Sequence, residues 1–509
     1  MNMSFLAFSI LCGVPVRIPI DRQSEIPLYR QIEDYLRQSI LSGSLPPGAA
    51  LPATRELARQ LGVSRITIQN AYINLESDGL IVAREGSGTF VAPPLTPAST
   101  PRSEAEAPWP LWQQEASNTS VFSKAIYQEP IPDYQKLGPS LIRFTGVGDP
   151  RFFPVKDFLK AIQTVIRRDG VEALDYGEFG SGYPPLRQTI THILASQGIR
   201  ASPNEVLITS GSQQGIALVC QVLLKPGDTI LVESPTYNLA LELFRSLGLK
   251  ILGVPVDEHG MKVETLESLL QKWHPRLIYT IPNFQNPTGV CLSSARRRML
   301  LELARCYNVP ILEDDYAGDL RYEGRVLPAI KALDQSGDVI YTGTFSKMLM
   351  PGLRLGFLIA SGPIFYRLLS EKWVTDFTTS TLIQRTLDEY VSLGRYQAHL
   401  RRSCRIHCTR RDAMLSAIRR YLPPGVHFDP PQGGLYLWLR LPEGFSTLQL
   451  LPLALQAGVE FTPGSWFFPD PVEGERYLRL NFATQPPERI EEGIRRLGEV
   501  MRRAQSARR

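Results

Sequence analysis

The chain has 509 residues, 43% of them hydrophobic, so it is too long for one ordinary domain and holds enough apolar material for a large core. Its formal net charge is only +5, and residues 17–92 hold eight Arg, no Lys and eight Asp or Glu, which excludes polyanion binding through a broad basic field in that stretch. The six cysteines form no CxxC pair and read as reduced cytosolic thiols rather than a disulfide framework.

Phe5 to Val16 is apolar, but the run is shorter than the roughly 20 residues a membrane span needs, lacks a basic start and contains Pro15. Residues 1–16 are expected to be a disordered or misassigned start. From Pro27, Leu28, Ile32, Leu36 and Ile40 recur at helical spacing until Gly43, which predicts one amphipathic helix. After the turn at Pro46 to Gly48, Thr54 is a candidate cap for a second helix, RELARQLG. Gly62 with Ser64 then opens a third, RITIQNAYINLESDG, and two short helices across a glycine-containing turn make a helix-turn-helix. The third helix is expected to bury Ile68, Tyr72 and Leu75. That leaves Arg65, Thr67 and Gln69 near its N-terminal end, where a recognition helix meets base edges in the major groove of DNA. Leu80 to Val91 alternates into two short strands around Gly86-Ser87-Gly88, a wing rather than a phosphate loop because no helix follows.

Thr54-Arg55-Glu56-Leu57-Ala58, Gly62-Val63-Ser64-Arg65-Ile66-Thr67, Tyr72, Leu75, Gly79-Leu80 and Gly86-Ser87-Gly88-Thr89-Phe90 together resemble the GntR-type winged helix-turn-helix, an α+β domain expected over residues 17–92. The resemblance implies that Arg55, Ser64, Arg65, Thr67 and the wing tip at Gly86, Ser87 and Gly88 contact DNA. Arg59 reads as a solvated helix residue. Residues 93–138 are rich in Pro, Ser, Thr and acid, cannot build a core, and are expected to be a flexible linker. Trp109 and Trp112 are candidates to dock on the domain that follows.

Over residues 139–509, β-branched runs alternate with helical periods, the pattern of a mostly parallel sheet wrapped by helices. Ligands collect beyond the carboxyl ends of such strands, and polar clusters follow several of the runs here. Ser210-Gly211-Ser212-Gln213-Gln214 opens a helix after VLIT, a place for a phosphate. Tyr237 follows ILVE and can lay its ring over a planar heterocycle. Asn286 follows LIYTIP, Asp314 and Tyr316 follow VPILE, and Lys347 follows VIYTGTFS. Pyridoxal phosphate needs this set of groups. Lys347 would condense with its aldehyde, Asp314 would pair with the ring nitrogen, and Asn286 and Tyr316 would donate to the phenolic oxygen. Thr344, Ser346 and Arg354 would join Ser212 around the phosphate.

These motifs, in this order, resemble the fold type I aminotransferases, which implies a large α/β transferase domain with a smaller C-terminal α/β subdomain. By that resemblance Arg479 grips a carboxylate of the ligand, and Tyr176 with Gly182 belongs to a loop that reaches the phosphate of a partner subunit, so a homodimer is implied. Phe158 stands where the family pattern has Trp. The joined chain resembles the MocR subfamily of GntR regulators.

The Arg395 to Arg420 stretch holds eight Arg and one acid, read as a solvated helix face with a second DNA-facing patch as the alternative. Cys404 and Cys408 lie near His399 and His407 but lack a second ligand pair, and no metal is expected. Two functions stay open at this point. One is a cytoplasmic transcriptional regulator that binds an operator and senses an amine, an amino acid or the coenzyme, with at most weak transaminase activity. The other is a working aminotransferase with an accessory DNA-binding domain.

Overall fold

The computed structural model describes residues 18–84, 87–93, 112–113, 140–146, 148–177 and 180–506. Residues 1–16, Trp109, Gly86 and nearly all of the expected linker lie outside them. The chain divides into two compact units, Met1–Glu115 and Ala116–Arg509.

In the first unit the predicted helices form as α1 (Leu28–Leu41), α2 (Thr54–Leu61) and α3 (Arg65–Ser77). Ile32, Leu36, Leu57, Ile68, Tyr72 and Leu75 build its core, as the apolar periodicity requires. The turn between α2 and α3 uses Gly62 at φ 60, and Arg22 Nη2 donates to the Gly62 carbonyl at 2.9 Å, satisfying an oxygen that the end of α2 leaves free. The Thr54 cap does not form. Thr54 is the first residue inside α2, and Ala53, which holds the cap position before it, has no side-chain acceptor. The two wing strands are β2 (Ile81–Arg84) and β3 (Gly88–Val91), paired antiparallel, and β1 (Ala50–Leu51) adds a third strand on the free edge of β3. The α1 and α3 helices are tied by Asn74 Nδ2 donating to Glu33 at 2.7 Å and by Arg37, which bonds both Glu33 and Asp78.

The second unit is built on an eight-stranded sheet. Its strands are β5 (Val206–Thr209), β6 (Thr229–Ser234), β7 (Lys250–Asp257), β8 (Gly260–Met261), β9 (Leu277–Thr280), β10 (Ile311–Asp315), β11 (Val339–Thr344) and β12 (Gly356–Ile359). The order is β5-β12-β11-β10-β9-β6-β7-β8. The central strands from β7 to β11 are parallel, and only β12 and β8 run against their neighbours. Most strands are buried along their whole length, which is why they read as near-continuous apolar runs rather than alternating ones. Helices cover the sheet, among them α4 (Ser212–Leu223), against which α5 (Pro363–Asp376) packs.

A smaller C-terminal portion follows the long α6 (Arg395–Tyr421). It holds an antiparallel sheet of β13 (Tyr436–Arg440), β16 (Tyr477–Asn481) and β15 (Thr462–Pro463), and β14 (Val459–Glu460) pairs with β4 (Ile142–Arg143). Ile142, Phe144, Met414, Leu437, Leu480 and Ile494 share its core.

Candidate functional site

The sheet brings the predicted polar clusters to one edge. The parallel strands β5, β6, β9, β10 and β11 end there, and β12 begins there because it runs antiparallel between β5 and β11. The register aligns Thr344, Gly356 and Thr209 in one row. After Thr209, Ser210-Gly211 leads straight into α4, leaving its first N–H groups free for an anion. Gly211 lies at φ 100, and a Cβ there would stand 2.8 Å from Arg354 Nη2. A Cβ on Gly356 would likewise stand 2.8 Å from the backbone nitrogen of Ser212. The two glycines therefore keep open a small cradle at the start of α4. Arg354, held in the left-handed region at φ 47, donates to the Ser210 carbonyl at 3.0 Å. Thr344 Oγ1 accepts from the Ser346 N–H at 3.1 Å, and the buried Ser346 Oγ and Gln213 Oε1 have no hydrogen-bond partner.

Asp314, in β10, is 2% exposed. Its Oδ2 accepts from Tyr279 Oη at 2.8 Å, whereas Oδ1 is buried with no partner. Burial pushes its carboxyl up to about 7; Asp315 and Glu233 add to the shift, while the Tyr279 hydrogen bond and Lys347 oppose it. A buried carboxylate oxygen facing nothing is costly, and a protonated ring nitrogen answers that cost. Lys347 lies just past β11. Burial, reinforced by Arg479 and Arg354, holds its amine below the usual lysine range against the pull of Tyr436 and Asp314, which favours the neutral, nucleophilic form.

Arg479, in β16, is buried among ligands of its own. Nη1 donates to Asn286 Oδ1 at 2.8 Å, Nη2 reaches Thr462 Oγ1 at 3.4 Å, and the guanidinium lies 4.1 Å from the Tyr436 ring centre and 4.7 Å from that of Phe467. Asn286 thus has its oxygen engaged and its amide N–H groups free to donate. Tyr316 differs from expectation. Its hydroxyl proton goes to the Phe284 carbonyl at 2.6 Å, so donation to a ligand oxygen requires that bond to open. Tyr237 flanks the helix Asn238–Ser246, its phenol pushed up by burial. Tyr176 is 67% exposed and packs edge-on against Phe377 at 5.1 Å, on the wall of a cleft of about 440 Å³ also lined by Glu172, Tyr183 and Arg385. Gly182, at φ 107, lies against Ile208 of β5 so closely that a Cβ would overlap it.

In the first unit, Arg55 and Arg65 are exposed and Gln69 half-buried. Ser64 caps α3: its Oγ accepts the Thr67 N–H at 3.2 Å and bonds Thr67 Oγ1 at 2.8 Å. Both hydroxyls therefore serve the helix start in this conformation. Ser87 and Gly88 are exposed at the end of the wing.

Residues 145–497 match the family model for aminotransferase class I and II, and residues 28–91 match that for bacterial regulatory proteins of the gntR family. The uncharacterized HTH-type transcriptional regulator YisV of Bacillus subtilis (strain 168) is 33% identical over 95% of this chain and 97% of its own. MocR of Rhizobium meliloti is 31% identical over 94% of each. The chain belongs to the MocR-type gntR regulators. The second unit also superposes on LysN, the alpha-aminoadipate aminotransferase of Thermus thermophilus complexed with N-(5'-phosphopyridoxyl)-L-leucine, with TM-score 0.70 and 34% identity over 78% of this chain and 99% of that one. The coenzyme of this MocR-type chain is pyridoxal phosphate, and the residues fit it: the unpartnered Asp314 oxygen, the buried Lys347 amine and the glycine-lined cradle at α4 match its ring nitrogen, aldehyde and phosphate.

Two supporting groups of this MocR-type site escaped the sequence reading. Glu233 ends the apolar run of β6, 1% exposed, and accepts from Thr280 Oγ1 at 2.6 Å and Gln285 Nε2 at 3.0 Å, so it braces the loop that carries Asn286. A charge inside an otherwise apolar strand was the available signal. The second group is Asp376 at the end of α5. Its Oδ2 accepts from Gln214 Nε2 at 2.7 Å and Ser210 Oγ at 3.2 Å, its Oδ1 from the buried Lys372 at 2.5 Å, and Gln214 Oε1 accepts the Ser210 N–H at 2.7 Å. This network fixes the turn into α4 from behind.

The arginine-rich α6 is neither a plainly solvated face nor a free basic patch. Arg410 is 2% exposed and pairs with Asp149 at 2.6 Å, Arg411 pairs with Glu323 at 2.6 Å, and Arg395 and Arg402 donate to the carbonyls of Asp157 and Phe152. Among the described residues, no cluster of His, Cys, Asp or Glu could hold a metal ion, and no helix is long and apolar enough to cross a membrane.

Proposed function

We propose that this chain is a pyridoxal-phosphate-dependent transcriptional regulator, acting in the cytoplasm as a homodimer, whose aminotransferase-like unit senses an amine, an amino acid or the coenzyme and thereby controls operator binding. The observation that carries the reading is the buried, unpartnered Asp314 Oδ1 in the same site as the depressed Lys347 amine, in a chain whose other unit is a DNA-reading head. When bound, pyridoxal phosphate supplies an aldehyde that condenses reversibly with amines. Lys347 offers the protein's own amine to it. Asp314 keeps the ring nitrogen protonated, Asn286 donates to the phenolic oxygen, joined by Tyr316 once its bond to the Phe284 carbonyl opens, and Tyr237 covers the ring. Ser212, Gln213, Thr344, Ser346 and Arg354 surround the phosphate, and Arg479 holds a carboxylate when the effector has one.

An effector amine taking the place of the Lys347 amine would free that side chain, and an amino acid would also place its carboxylate near Arg479. Two ligand states thus contact the protein differently, which a switch requires. Exposed apolar side chains support the homodimer: Tyr176, Trp373 and Phe377 pack on one another at the surface, with Val374 75% exposed beside them. Tyr176 then reaches toward the phosphate site of a second copy. On the DNA side, Arg55, Arg65, Gln69, Ser87 and Gly88 contact the duplex, with Ser64 and Thr67 fixing the start of the reading helix; the same role for Gly86 falls outside the described residues.

The test is footprinting of the full, coenzyme-loaded chain on its operator with a panel of amines and amino acids. The reading expects at least one compound to change half-site spacing or affinity in the wild type and not in Lys347→Ala. Identical footprints with every compound overturn it. Many cycles of amino transfer to an oxoacid would instead favour the working aminotransferase.

A further inference from the structure

The solvent face of α3 has a composition that its own packing does not explain. Ile68, Ala71, Tyr72 and Leu75 are the buried residues of α3. At about 100° per residue they cluster on one side of the helix, and Ile66, Gln69, Asn70 and Ile73 fall within about 100° on the opposite side. Ile66 is 67% exposed and Ile73 60%. A single exposed isoleucine is ordinary. Here two of them, seven residues apart, bracket two carboxamides on the face that a helix-turn-helix turns to the major groove.

Several other polar groups along α3 are engaged within the unit, while Arg65 stands exposed at its start. Thr67 bonds Ser64, Asn74 donates to Glu33 at 2.7 Å, and Glu76 accepts the Ala83 N–H at 3.0 Å. Among the described residues, no hydrogen bond engages the side chain of Gln69 or Asn70. We infer that this face reads adenine–thymine pairs: the Gln69 and Asn70 carboxamides match the donor and acceptor on the major-groove edge of adenine, and Ile66 and Ile73 pack on thymine methyl groups. The thymine methyl is the one apolar group the major groove displays, so it is the natural partner for a β-branched aliphatic held at that depth. Isoleucine is also stiff at χ1, so little side-chain freedom is lost on contact. A protein partner fits less well, because two isoleucines fall far short of the roughly 800 Å² a stable interface buries on each side. Ile66 and Ile73 lie about 10 Å apart along the axis, close to three base-pair steps.

The inference rests on α3 being the DNA-reading helix, and the experiment separates the two. The full chain, loaded with pyridoxal phosphate, selects from two random duplex pools, one with thymine and one with uracil, which lacks only the methyl group. The expected result is enrichment of A·T pairs within the half-site from the thymine pool. Single dT-to-dU changes there should lower affinity roughly 3- to 10-fold per contacted methyl. Ile66→Ser and Ile73→Ser, both surface changes, should each bind thymine and uracil versions equally at one of those positions. Equal binding of thymine and uracil duplexes by the wild type overturns the inference while leaving DNA reading intact. Enrichment of half-sites without A·T pairs does the same. Failure to bind any duplex in either pool overturns both.

Discussion

Asp314 and Lys347 show how burial does chemical work at single residues. Glu233, Glu313 and Asp314 are each pushed up to about 7, burial being the first cause in every case. A carboxyl raised in the fold binds its proton more tightly there than in the unfolded chain. Stability of the coenzyme-free protein should therefore fall as pH rises from about 4 to about 7, by up to about 1.4 kcal/mol per pH unit for each such group. Asp314→Asn should remove one group's share of that slope in denaturation curves, and an unchanged slope would mean that Asp314 is already ionised across the range. The same substitution replaces the anion opposite the ring nitrogen, so affinity for pyridoxal phosphate should drop about 10- to 100-fold, the equivalent of one charge-assisted hydrogen bond. Arg354 stores backbone strain at the phosphate end through its left-handed φ of 47. Arg354→Gly should weaken coenzyme binding while leaving the coenzyme-free fold within about 1 kcal/mol of wild type, because relief of that strain offsets glycine's extra unfolded-state freedom. A matching loss of fold stability would count against the strain argument.

At the level of elements, the site depends on how the start of α4 is held. Asp376 touches no ligand position; it acts through Gln214 and Ser210 and is a positioning residue. Asp376→Asn should lower affinity for pyridoxal phosphate roughly 10-fold and leave affinity for pyridoxal, which has no phosphate, unchanged. Parallel losses for both compounds would show only a general structural role. None of this network was legible in the sequence. Lys372 and Asp376 form an i, i+4 pair of the kind any solvated helix carries, and their partners lie far away in the chain. Arg410 and Arg411 misled for the same reason, since composition does not reveal that Asp149 and Glu323 come to meet them. The groups at strand ends were legible, because buried parallel strands leave continuous apolar runs and each functional cluster follows one. Tyr316 lies just past β10 with its proton directed to the Phe284 carbonyl, a detail of orientation that spacing does not encode. In the first unit the three helices and the wing followed from apolar period and turn residues. The two-residue β1 was too short to leave any alternation.

On the scale of the whole molecule, a coenzyme body and a DNA reader share one chain, and the linker expected over residues 93–138 lies almost wholly outside the described residues. If the exposed face around Tyr176, Trp373 and Phe377 is covered by a second copy, Trp373→Glu should shift the protein toward monomer in sedimentation and weaken coenzyme retention together. Loss of the dimer with retention unchanged would remove Tyr176 from the phosphate site. In the proposed function the coupling between the two units would begin at one covalent attachment. Borohydride reduction of the full chain purified with pyridoxal phosphate, followed by peptide mapping, tests that attachment directly: the account predicts a phosphopyridoxyl label on Lys347, and a protein left unlabelled there, or labelled at another lysine, would contradict it.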